Sequence, residues 1–365
     1  MQLNIDNIKA ALKNVIDPDL KRDIVSLNFV KDIKLEGKNV FLEIQLTTPA
    51  CPLKDKIKDD CINEIKKAFP EIENINVNLT SNVSTKFEKT KNSILPDVKN
   101  TIAVASGKGG VGKSTVAANI AIALSKLGSK VGLIDADIYG PSIPMMLGIP
   151  SKPQIYQDTK TGKMLPLDSY GIKVISIGFL IDEDTPVIWR GPMASGAIKQ
   201  FMTDVFWDEL DYLIFDLPPG TGDIQLTLVQ SIPLTGAIVV TTPQDVSLID
   251  VKKAMRMFQR VNVPILGIIE NMSYFIAPDT GKRYDIFGNG GGEKLSRELS
   301  VPLLGQIPIN PNIRIGGDSG KPIVYAEPDS EEAKKIIEIS KNLAAQISIN
   351  NLSTSTPKIE IVLGN

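Results

Sequence analysis

Nine consecutive residues constrain this chain more than any others: Gly107, Lys108, Gly109, Gly110, Val111, Gly112, Lys113, Ser114 and Thr115. They stand between an apolar run at 102–105 and a helix-forming stretch at 113–127. Glycines let successive backbone N–H groups point toward one concave side. The N-terminus of the following helix adds a partial positive charge. The result is a cradle for phosphate oxygens, with the spacing and the strand-to-helix setting of a Walker A loop. A chain with this feature expects a sheet whose strand ends line a ligand crevice.

The pattern downstream agrees. Strand-like runs fall at 102–105, 131–135, 174–177, 212–216, 237–241, 265–270 and 303–307, with helices between them, for example at 113–127 and 248–260. Several runs are continuously apolar, as when both faces of a parallel sheet are covered. We therefore expect α/β architecture over 100–350: a doubly wound, mostly parallel sheet of the P-loop NTPase type. A last helix at 331–347 docks on its core, and 351–365 form a flexible tail. Ahead of it, 1–81 read as a small α+β domain, with helices at 5–16 and 52–69 and strands at 29–35, 39–46 and 74–79. Residues 82–99 are polar and aperiodic, the signature of a linker. A length of 365 residues suits two such domains.

Composition excludes several chemistries. There is no histidine, which removes His-based triads, His–metal sites and imidazole acid–base catalysis. The two cysteines, Cys51 and Cys61, are too few for a disulfide framework. Net charge is −2, which leaves no overall electrostatic footprint for nucleic acid. No stretch reaches the roughly 20 apolar residues that span a bilayer, and the acidic amphipathic N-terminus is unlike a signal peptide. The expectation is a cytoplasmic protein that binds neither nucleic acid nor membrane.

Chemistry then falls to lysines, aspartates, hydroxyls, backbone amides and a bound metal. Lys113 is expected to reach the β- and γ-phosphates of ATP, Ser114 to ligate Mg²⁺, and Thr115 to touch the α-phosphate. The apolar strand at 212–216 ends in Asp216, as a Walker B strand does, and Asp216 to Gly220 has the D-x-x-x-G spacing of a loop that senses γ-phosphate. The strand after the loop helix ends in Asp135 and is followed by Asp137. Asp137 can orient the attacking water and Asp135 can hold a water of the Mg²⁺.

Lys108, a second lysine inside the loop, matches the signature lysine of the deviant Walker A ATPases. Within that class the sequence resembles the Mrp/ApbC family of iron–sulfur cluster carriers, through SGKGGVGKSTVAANIA, GLIDADIYGPSIP, RGPM, DYLIFDLPPGTGD, TTPQ, ENMSYF, DIFGNGGG and LGQIPI, between about residues 100 and 345. VIDPDL, DIVSLNFV and LTTPACPLKD resemble the small domain that bacterial members carry in front. The resemblance implies an ATPase that assembles iron–sulfur clusters or carries them to apoproteins, working as a homodimer. It also implies that Lys108 reaches the nucleotide of the partner subunit and that Asn271 reads the adenine. Many members bind a cluster across the dimer through a C-x-x-C after the ENM segment. Here Ala277 and Thr280 stand at those positions, and neither is a cluster ligand. The likeness is to the branch that lacks the pair, which includes the chloroplast cluster scaffold.

The cysteines present differ from each other. Cys61 continues the helical stripe of Leu53, Ile57 and Ile65 and is expected in the core. Cys51 precedes Pro52 at the start of the same helix, where a thiolate would be favoured. About 15 Å of helix separates the two, too far for a disulfide or one shared cluster. Cys51 is the candidate ligand of a labile iron–sulfur cluster, which would have to bridge subunits or recruit other ligands. Two other readings of the chain stay open: a positioning ATPase of the partition or septum-site type, and an ATP-dependent switch that binds no cluster.

Overall fold

A computed structural model of the chain describes residues 2–85, 93–150, 153–180 and 191–353. Arg190 of the RGPM segment, part of the expected linker (86–92) and the tail from 354 lie outside the described residues. The chain divides into two compact units, one from Met1–Phe87 and from Ala344 onward, the other from Glu88–Leu343.

In the first unit, helix α1 (Ile5–Leu12) is capped by Asn4, whose side chain accepts from the Asn7 N–H at 2.8 Å. It stops earlier than the apolar spacing suggests, because the chain turns at Asn14 and Val15 and pairs Ile16 with Asp23. Strands β1 (Val30–Glu36) and β2 (Asn39–Leu46) form an antiparallel hairpin. Helix α2 (Lys54–Ala68) then carries the chain back, so that β3 (Asn74–Ser81) lies parallel to β2. Val40, Leu42, Ile44 and Leu46 alternate inward on β2 and meet Ile57, Cys61 and Ile65 of α2 in one core.

The second unit contains β4 (Val98–Ser106), α3 (Lys113–Lys126), β5 (Val131–Asp135), α4 (Ile143–Met146), β6 (Leu167–Ser169), β7 (Ile172–Ser176), α5 (Gly191–Thr203), β8 (Leu210–Asp216) and α6 (Asp223–Ser231). It continues with β9 (Gly236–Thr241), α7 (Asp245–Arg260), β10 (Ile265–Glu270), α8 (Gly291–Leu299), β11 (Leu303–Gln306), α9 (Pro311–Asp318), α10 (Ile323–Ala326) and α11 (Glu331–Ser353). The strands form one sheet in the order β11-β10-β9-β4-β8-β5-β7-β6. All neighbours are parallel except β6, which pairs antiparallel with β7. Every residue of β5 and β9 is buried, which is why these strands read as unbroken apolar runs. Strand β6 escapes a sequence reading because it is a three-residue edge with partly exposed side chains.

The parallel register brings Asp135 level with Asp216 on neighbouring strands, and β4 runs beside β8 to end at Ser106. Three strand ends thus converge on one crevice. Helix α11 buries Ala333, Ile336, Ile339 and Leu343 and donates from Asn342 Nδ2 to the Leu304 carbonyl at 2.9 Å. It runs on to Ser353, and its residues from Ala344 belong to the first unit. Among the described residues no helix is long and apolar enough to cross a membrane.

Candidate nucleotide site

The loop between β4 and α3 has the conformation that its glycines permit. Gly112 adopts φ +79° and opens α3, and a Cβ there would lie 2.3 Å from Asn271 Nδ2. The N-cap residue of α3 is Gly112, which has no side chain to cap it, so among the described residues the first N–H groups of the helix are left for a ligand. The Ser106 hydroxyl donates to the Lys108 carbonyl at 2.9 Å and sets the start of the loop. A cavity of about 250 Å³ opens over it, lined by Ser106, every residue from Lys108 to Thr115, Asp137, Ser142, Met146 and Pro219.

The other expected residues take different places. Gly107 packs its α-carbon on the backbone of Asp250 in α7 and does not line the cavity. Asn271 lies behind the loop and donates from Nδ2 to the Val111 carbonyl at 2.8 Å. Gly220 donates its N–H to the Ser106 carbonyl at 3.0 Å, which fixes the turn that presents Pro219. Ser142 and Pro219 lie within the motif segments GLIDADIYGPSIP and DYLIFDLPPGTGD, Met146 lies just beyond the first, and all three come to the cavity through the fold.

The charges are concentrated. Lys113 Nζ lies 2.6 Å from Asp216 Oδ1, 3.3 Å from Asp137 Oδ2 and 3.2 Å from Ser114 Oγ. Burial alone would lower the Lys113 ammonium, but Asp216 and then Asp137 hold it above its ordinary value. Burial pushes the Asp216 carboxyl up, and Lys113 and Ser114 pull it back. The second oxygen of Asp216 is buried and has no hydrogen-bond partner among the described residues. Asp135 is also pushed up, by burial and then by the charge of Asp216. Its oxygens are engaged by protein donors: Oδ1 accepts from Asp137 N–H, and Oδ2 from Ile143 N–H and the Ser176 hydroxyl. Asp135 therefore shapes the loop that carries Asp137. Asp137 is 7% exposed, lines the cavity, and accepts from Tyr139 N–H at 3.2 Å.

A strand-fed phosphate cradle, a buried lysine on two aspartates and a third aspartate bracing the loop together make up a candidate nucleotide site. Residues 97–344 match the family of NUBPL iron-transfer P-loop NTPases. The chain belongs to that family. Residues 5–79 match a second family, the iron–sulfur cluster assembly protein domain. The chain is 50% identical to an iron–sulfur cluster carrier protein of Synechocystis over 95% of its own length and 99% of that protein. It is 42% identical to the iron–sulfur cluster carrier protein of Escherichia coli K12 (93% and 91% covered), and 43% to a chloroplastic Fe–S cluster assembly factor of Oryza sativa (90% and 61%). Among solved structures, a nucleotide-binding protein of Archaeoglobus fulgidus in complex with ADP shares 38% identity at a TM-score of 0.55, covering 65% of this chain and 95% of that one.

The iron-transfer NTPase departs from a self-sufficient cluster site. Ala277 and Thr280 lie in a turn that closes through Ala277 N–H to the Lys282 carbonyl and Gly281 N–H to the Ala277 carbonyl. Among the described residues no three His, Cys, Asp or Glu side chains are placed to hold a metal. Cys61 is fully buried, as its helical stripe predicts. The thiolate expected of Cys51 is not what its surroundings favour. Helix α2 begins only at Lys54, and Cys51 is half-buried before it. Burial, with Asp17 and Asp19 adding to it, pushes the thiol up to about 11 against the Leu53 N–H and Lys54. Metal binding at Cys51 would have to displace that proton.

Proposed function

We propose that this NTPase binds MgATP, hydrolyses it as a homodimer, and uses the cycle to carry iron–sulfur clusters to apoproteins. The position of Lys113 carries the nucleotide part of the reading. Its ammonium sits at the cradle on two acids, and a triphosphate entering the cavity offers it stronger partners at the β- and γ-phosphates. When the lysine turns to phosphate, Asp216 loses its partner at Oδ1 beside the orphaned Oδ2. That oxygen pair and the Ser114 hydroxyl fit a hard, oxygen-seeking cation. Mg²⁺ held there would offset the charge on the transferring phosphoryl group. Asp137 lines the cavity and is steadied by Tyr139 N–H, which supports its orienting water for attack. Lys108 lines the cavity and makes no ion pair among the described residues, which supports its reaching a nucleotide in the partner subunit.

The cluster is cargo. Its ligands must come from more than one chain or from added thiols, since one chain offers Cys51 alone outside the buried core. The names of the relatives, over nearly the full chain, support this part. Asp137→Asn tests the catalytic assignment. Equilibrium binding of MgATP should stay within a few-fold of wild type, while turnover falls by about a hundredfold or more. Unchanged turnover would move the role of Asp137 elsewhere.

A further inference from the structure

The glycine run Gly290-Gly291-Gly292 resembles a second phosphate loop, since it opens helix α8. Its anion is already present, and it is internal. Glu270, the last residue of β10, is fully buried and, among the described residues, has no cationic partner. Its Oε2 accepts from the Gly292 N–H, and its Oε1 accepts from the Ser273 hydroxyl and from Gln306 Nε2 at 2.9 Å. The α8 terminus has no cap from its own N-cap residue, Gly290. Glu270 supplies that cap from a different strand, with the helix dipole favouring its charge. The fit is tight: a Cβ on Gly292 would lie 3.1 Å from Glu270 atoms.

The next residue is Asn271, whose amide holds the Val111 carbonyl at 2.8 Å and packs on Gly112. Its N–H is also fixed, donating to the Thr241 carbonyl at 2.8 Å. A carboxylate pinned from three sides therefore precedes the amide that pins the phosphate loop. We infer that Glu270 is a positioning residue of the nucleotide site: anchored on α8, Ser273 and Gln306, it sets Asn271 against Val111 and so holds the phosphate-binding loop in register for nucleotide. The inference rests on the nucleotide-binding reading above.

A carboxylate accepts on both oxygens, whereas a glutamine has one accepting oxygen and one donating nitrogen. Glu270→Gln can keep its oxygen on the Gly292 N–H only if the Ser273 hydroxyl and the Gln306 amide turn to accept from its nitrogen, and it removes the negative charge that faces the α8 N-terminus. Gly292→Ala displaces the same carboxylate from the helix side without altering its charge. The experiment measures MgADP affinity by calorimetry for wild type, both variants, Asn271→Ala, and the double variant Glu270→Gln/Asn271→Ala. Glu270→Gln and Gly292→Ala should each weaken binding by about tenfold. The double variant should bind no worse than Asn271→Ala, because a residue acting through Asn271 has nothing further to lose. Losses that multiply in the double variant, or wild-type affinity in both single variants, would overturn the inference. If Glu270→Gln does not fold, Gly292→Ala combined with Asn271→Ala gives the same reading. A wild-type protein that fails to bind MgADP would instead sink the nucleotide reading itself.

Discussion

Removing the charge of Lys113 while keeping its stem, as in Lys113→Met, should destabilise the protein before any nucleotide is added. Asp216 is 0% exposed and its closest cation is the ammonium 2.6 Å away. Taking away one partner of such a pair leaves an uncompensated buried charge, which costs about 3–5 kcal/mol. At about 2–4 °C per kcal/mol for a unit of this size, the unfolding midpoint should fall by roughly 6–20 °C. The deficit should depend on pH. The folded-state pKa of Asp216 already lies above its ordinary value, so the stability linked to it is present at low pH and lost as pH rises through that pKa. Loss of Lys113 removes the main group that pulls the carboxyl back, so the gap from wild type should widen as the pH rises above the ordinary carboxylate range. Thermal unfolding followed by circular dichroism, in EDTA and without nucleotide, measures this directly. Lys113→Met/Asp216→Asn carries no charge at either position and should recover most of the loss. A single variant that unfolds with wild type at the higher pH, or a double variant no better than the single, would refute the account of this pair.

Other consequences are open to the same kind of test. Lys108→Ala should bind MgATP yet fail to hydrolyse it, and mixing it with Lys113→Ala should restore activity, since the latter subunit supplies an intact Lys108; no recovery in mixed dimers would argue against a shared site. Alkylation of Cys51 by iodoacetamide should be slow at neutral pH and climb about tenfold per pH unit toward the thiol's value of about 11, and fast neutral labelling would contradict the buried setting. Gln225, in the first turn of α6, is 2% exposed with neither amide atom partnered among the described residues; Gln225→Leu removes a penalty of about 1–3 kcal/mol per group and should raise the unfolding midpoint by several degrees, a fall instead implying a partner for the amide.

The sheet was legible because its central strands are buried on both faces, so that runs such as 131–135 and 237–241 carry no polar interruption. Helix α3 was legible from its loop. Strand β6 was not, since Leu167, Asp168 and Ser169 show no period over three residues at an edge. The same limit affected the site. The loop and its lysine are local in sequence, but the use made of each aspartate is not. Asp135 ends a strand and Asp137 follows it, and only the approach of Ser176 and Ile143 separates the loop brace from the cavity residue. Cys51 misled for a related reason. Its place ahead of a helix was visible, but the helix starts at Lys54 and not at Pro52, and its burial beside Asp17 and Asp19 is a long-range fact. Glu270 gave no signal beyond an acid ending a strand, because its three donors come from separate places in the chain.

The turn at Ala277 and Thr280 closes on main-chain bonds between Ala277, Gly281 and Lys282, and the guanidinium of Arg283 covers the ring of Tyr274 at 4.3 Å. None of these contacts uses a side chain at 277 or 280; the Thr280 hydroxyl adds only long bonds, accepting from the Lys282 N–H and donating to Asp279 Oδ1, each at 3.4 Å. The shape of the turn therefore depends little on what those two positions carry. A lineage could exchange cysteines for other residues there, or regain them, by two point changes without refolding the segment. Cargo chemistry and architecture can then drift separately, and the absence of the cysteine pair is no measure of how far a chain has diverged in fold.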